Sequence, residues 1–111
     1  MGFLGKLFGK KEEEKAKATP KVEVRKAAKD NSIPAEKVGL DGKFDESGLA
    51  KRVAKAFDDA DISDNVGLWV AQQGSTVVLK YNPDAEPVLA KAKEVAMKVD
   101  GADAVRAEPN S

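Results

Sequence analysis

The chain has 111 residues, enough for one domain with a core two layers deep and too few for a large enclosed active site. It contains no cysteine and no histidine, which excludes disulfides and thiolate metal sites and removes the usual general base and the commonest metal ligand. Its 19 basic and 19 acidic side chains balance overall, but residues 1–30 hold nine basic and five acidic ones, net +4, and leave the remainder at net −4. An anionic partner would meet the basic arm first.

Residues 1–19 read as a flexible apolar and basic arm followed by a charged linker. Phe3 stands over Leu7 and Leu4 over Phe8 at i, i+4, with Lys6, Lys10 and Lys11 beside them. A helical turn or two would therefore show an apolar face edged with lysines, the pattern of a short interfacial anchor. The competing reading is that the same residues cap an exposed edge of the domain or are simply disordered. Gly5, Lys6 and Gly9 break the apolar run, which is too short to span a bilayer and lacks the apolar core and cleavage site of a secretory signal. A cytoplasmic protein follows as the expectation, with peripheral attachment at the inner face of a membrane. Gly2 does not make a myristoylation site, because Lys6 stands where Ser or Thr is wanted.

Residues 20–44 form a bridging segment. Val22, Val24, Ala27 and Ala28 suit either a strand or a short helix; a helix through Lys29, stopped by Asp30-Asn31-Ser32 and Pro34, is the reading adopted. Asp41-Gly42 predicts a turn that places Leu40 and Phe44 against the core. Asp41 and Asp45 lack the ligand ladder of a calcium loop and read as turn residues.

From Asp45 the periodicity is plain. Leu49, Val53 and Phe57 recur at four-residue steps, predicting an amphipathic helix capped by Asp45 or Ser47. Val66, Leu68 and Val70 alternate, as do Val77, Leu79 and Tyr81, so two strands are joined by a reversal at Gly74. The sole tryptophan, Trp69, then lies on the opposite sheet face. It is either a contact point for lipid, peptide or another subunit, or is covered by residues 20–44 folding back. Asp84 is the expected cap of a second helix with stripe Val88, Leu89, Ala92, Val95, Ala96 and Val99, ended by Asp100-Gly101. Ala104–Ala107 is a last short strand.

The predicted class is α+β: a small two-layer sandwich, helix-strand-strand-helix-strand, with a three-stranded mixed sheet and two helices on one face. Residues 45–108 resemble the BON domain, a bacterial module. The likeness is carried by Leu49, Val53, Ala56 and Phe57; by Val66-x-Leu68-x-Val70, Gly74 and Val77-x-Leu79; and by Ala92-x-x-Val95-Ala96-x-x-Val99-x-Gly101-x-x-x-Val105. Departures are Lys80-Tyr81 where the family has a small residue, Gly101-Ala102 where it has Gly-Val, and a longer hairpin.

The resemblance implies a binding module associated with phospholipid or membrane-surface contact. The expected function is therefore non-enzymatic binding of a membrane surface or a protein partner through Phe3, Leu4, Lys6, Leu7, Phe8, Lys10, Lys11 and Trp69. The alternative is a cytoplasmic potassium- or calcium-responsive protein. No cofactor, protein metal site or nucleic-acid partner is expected, because the arm's basic run is interrupted by Glu12, Glu13 and Glu14 and has no aromatic platform. Carboxylate pairs such as Asp58 and Asp61, or Asp41 and Asp45, are the residual catalytic candidates and read as solvated residues.

Overall fold

The computed structural model of the chain describes residues 2–12, 14, 29, 32–63 and 65–110. Its elements are α1 (Phe3–Phe8), α2 (Gly48–Asp59), β1 (Leu68–Gln73), β2 (Thr76–Tyr81), α3 (Glu86–Met97) and β3 (Ala104–Pro109). Short 3-10 turns lie at Ala35–Lys37 and Pro83–Ala85. The sheet order is β1-β2-β3, with β1 antiparallel and β3 parallel to the central β2, so the predicted α+β class and mixed sheet are observed.

The hairpin closes on a two-residue turn, because Gln73 pairs with Thr76 across Gly74-Ser75. Gln72 and Gln73, expected in the loop, are the last residues of β1. The alternation places Leu68, Val70, Val77 and Leu79 on one face, where Leu49, Val53 and Phe57 of α2 and Ala92 and Ala96 of α3 meet them in the buried core. Full burial of each large apolar side chain contributes about 1.5–3 kcal/mol, which makes this two-layer contact the main source of stability.

The helices start differently from the sequence expectation. No side chain of the flanking residues caps α2; the Ala50 N–H instead donates to Oε1 of Gln72 on β1, at 2.8 Å. Asp45 Oδ1 accepts from the Ser47 N–H, which shapes the approach to the helix. Asp84 does not cap α3 either, since its carboxylate accepts from the Gly67 N–H at 3.1 and 3.3 Å.

Of the bridging segment, the helix expected through Lys29 falls almost wholly outside the described residues. Residues 32–44 pack beside α2 and are fastened by Arg52, one of the most buried charges. Arg52 Nε donates to the Val38 carbonyl at 2.7 Å, Nη2 to Ala35 at 2.6 Å, and Nη1 to the carbonyl of Asp100 after α3. Burial pushes its guanidinium down to about 10, partly countered by Asp100 and Glu36, so it remains charged at neutral pH. Gly48 lets the segment approach, because a Cβ there would collide with the Val38 carbonyl. Val38 and Phe44 form an isolated antiparallel bridge around the Asp41-Gly42 turn. Leu40 enters the core as expected, but Phe44 is 57% exposed and lies outside the core cluster, with Lys37 Nζ 5.8 Å from its ring centre.

Replacing Arg52 with Met would take the guanidinium donors from three main-chain carbonyls, of which Ala35 keeps the Val38 N–H at 3.3 Å, and each buried group left unpaired costs about 1–3 kcal/mol. The variant is expected to lose about 2 kcal/mol or more in urea unfolding; an unchanged midpoint would show the arginine to be incidental.

Candidate binding surfaces

Eight side chains carry the expected contact function, and the structure divides them between two surfaces on opposite layers. Phe3 and Leu4 are in the core, and Leu7 and Phe8 pack against it half-buried. The Phe3 ring meets Phe57 of α2 edge-on, centroids 5.4 Å apart. Asp58 caps α1 from α2, its Oδ1 accepting from the Phe3 N–H at 2.6 Å and Oδ2 from the Leu4 N–H at 3.2 Å. Lys6 Nζ donates to the Val66 carbonyl at 2.9 Å and stands 5.6 Å from the Phe3 ring centre.

Residues 3–8 are therefore a docked helix and not a loose arm. The reading of Phe3 and Leu4 as first contacts is corrected, since they cannot reach a membrane or a partner while α1 stays on α2. Their apolar face has the alternative use foreseen for it, closing the edge of the domain. Lys10 and Lys11 remain exposed.

Three of the four carboxylates considered for catalysis are likewise engaged in structure, and Asp61 is exposed. Asp58 caps α1, Asp41 Oδ1 accepts from the Lys43 N–H at 3.0 Å, and Asp45 pairs with Lys51 at 2.7 Å. Lys51 also meets Glu12 at 3.1 Å, which ties the linker after α1 to α2. Burial opposes its charge, but the two carboxylates outweigh that and hold the ammonium above its usual 10.5.

Trp69 lies on the other side of the sheet, half-buried and apart from the core cluster. Register puts Lys80 directly opposite it and Val78 on the diagonal. Val78 aligns with Arg106 and Lys80 with Glu108 on β3. Arg106 reaches across β2, its Nη2 donating to Gln73 Oε1 at 3.1 Å, so its stem passes over the buried Val78. Of residues 20–44, the alternative cover for Trp69, the described stretch 32–44 packs on the helical side and the rest, Lys29 apart, lies outside the described residues. The outer face thus offers one indole beside a lysine and an arginine, with Glu108 the arginine's ion-pair partner at 3.3 Å.

Among the described residues no group of three or more carboxylates could hold a metal ion, and no helix is long and apolar enough to cross a membrane. No family model, no curated protein and no solved structure matches the chain.

Phe3→Ala removes a fully buried ring and is expected to cost about 3–5 kcal/mol, whereas Lys10→Ala and Lys11→Ala should stay within about 0.5 kcal/mol. Equal denaturation midpoints for all three would undo the docked-helix assignment. The Lys51 pairs stabilise the fold below 10.5, where the ammonium is charged in both folded and unfolded chains, and this contribution is lost as pH rises through the raised folded value. The difference in unfolding midpoint between wild type and Lys51→Met should accordingly narrow above 10.5.

Proposed function

We propose that the protein is a small non-enzymatic binding module that meets an anionic membrane surface with the outer face of its sheet. The observation that carries this reading is the half-buried Trp69 on the sheet face opposite the helices, with Lys80 directly across from it on β2 and Arg106, paired with Glu108, on β3. An indole is suited to the boundary between headgroups and acyl chains, and neighbouring cations favour anionic headgroups. The BON resemblance, carried by residues 45–108, points to the same class of contact. The absence of histidine and cysteine from the whole sequence supports a binding role over a catalytic one.

Docking of α1 moves the weight of this function from the arm to the sheet. Phe3 and Leu4 stabilise the domain, Lys10 and Lys11 contribute long-range attraction, and the indole provides the short-range contact. Attachment through one aromatic and a few cations is weak and salt-sensitive.

Because the chain has one tryptophan, its fluorescence reports on this surface directly. Anionic vesicles should shift the Trp69 emission to the blue at low salt and release it at higher salt, while neutral vesicles leave it unmoved. Trp69→Ala should weaken flotation with anionic vesicles by about tenfold or more, equivalent to about 1.4 kcal/mol. An emission spectrum indifferent to anionic vesicles would end the membrane reading and turn attention to a protein partner on the same face.

A further inference from the structure

Among the described residues β3 has one unpaired edge, since its only strand neighbour is β2. One hydrogen bond sets the phase of that edge: the Asn110 N–H donates to the Tyr81 carbonyl at 2.8 Å. Alternate residues of a strand turn their main-chain groups to the same side. Ala104, Arg106 and Glu108 therefore share the direction of Asn110, toward β2, and Val105, Ala107 and Pro109 present theirs outward. Pro109 fits this assignment, having no N–H to offer and lying where an edge strand tolerates proline.

We infer that this edge pairs antiparallel with the same edge of a second copy of the chain, about a two-fold axis at Ala107. Ala107 then exchanges both main-chain hydrogen bonds with Ala107 of the second copy, and each Val105 N–H donates to the Pro109 carbonyl opposite. Arg106 stands opposite Glu108 of the second copy, and Glu108 opposite its Arg106, on the outer face. Both are non-hydrogen-bonded pairs, the positions where facing side chains approach most closely.

The register is selected by charge. Sliding the strands by two residues one way places Arg106 opposite Arg106, and the other way Glu108 opposite Glu108; each brings like charges together. A slide of one residue sets residues whose main-chain groups face the partner opposite residues whose groups face β2, so the hydrogen bonds are lost. Within one chain Arg106 and Glu108 are 48% and 38% exposed, so both side chains can re-pair without disturbing the core. The product is one continuous sheet of six strands, with both Trp69 side chains on the same face. The pairing rests on β3 alone and would stand if Trp69 met no membrane.

Sedimentation equilibrium of the full chain from about 10 µM to about 1 mM tests the proposal, the range suited to a small interface. The expected result is reversible monomer and dimer. Arg106→Glu and Glu108→Arg should each weaken the dimer by about tenfold or more, because each places like charges in both cross-strand pairs. Mixing these two single variants should restore association as a mixed dimer, and the double variant should restore it as a homodimer. Circular dichroism checks that each variant keeps its fold. A wild type that stays monomeric throughout overturns the proposal and leaves the edge to an extended segment of another protein. A dimer insensitive to both single variants, or one that the mixture fails to restore, overturns it as well.

Discussion

The buried guanidinium of Arg52 is the constraint on which the arrangement of the helical layer depends. A planar fork of donors can satisfy carbonyls that converge from different parts of the chain, and here they come from Ala35, Val38 and Asp100. A lysine ammonium, a single point at the end of a flexible stem, could not span the same three acceptors. Two glycines make room for this junction: Gly48 lies against the Val38 carbonyl, and Gly101, at φ +95°, lies against Ala35. Gln72 adds a tie from the sheet, accepting from the α2 N-terminus through Oε1 and donating to the Glu36 carbonyl through Nε2.

With Arg52 at one end and Asp58 at the other, α2 organises everything that is not sheet. Its apolar side, Leu49, Val53 and Phe57, provides the hydrophobic contact, and Arg52 and Asp58, with Lys51, tie the neighbouring segments to it. Capping by Asp58 orients α1 so that Phe3 meets Phe57, and the same geometry withdraws the most apolar part of the N-terminus from solvent. These polar ties all act on one side of the sheet. The outer face and the β3 edge are therefore where the molecule has surface available for association among its described residues.

The elements that repeat apolar residues with a clear period were legible in the sequence. Leu49, Val53 and Phe57, the alternation on either side of Gly74, and Ala92 and Ala96 fixed both helices, the hairpin and the inner face. What the sequence did not disclose was the long-range polar pairing. Arg52 reads as one more cation on a solvated face, Gln72 as a loop residue and Asp58 as a surface acid, because the partners that bury or engage them lie 14 to 55 residues away. Phe44 shows the converse failure. Its hydrophobicity argued for burial, but the buried side of that turn is taken by Val38 and Leu40, and the Phe44 ring lies near Lys37 at the surface.

The amphipathic start of the chain illustrates why pattern alone could not separate membrane contact from packing. Phe3, Leu4, Leu7 and Phe8 present the same stripe to a lipid interface or to a neighbouring helix, and hydrophobic burial supplies a driving force in either case. The choice depends on what the rest of the chain places within reach. Here Phe57 offers an aromatic edge contact, Asp58 satisfies the first two N–H groups, and the Val66 carbonyl takes the lysine that would otherwise face anionic lipid. Glu12, at 3.1 Å from Lys51, shows the same effect on charge. This pair joins an acid of the basic arm to a base of the acidic body, so the remaining charges of the two parts stay opposite in sign, and a segment's net charge describes its field only together with the pairings it makes on folding.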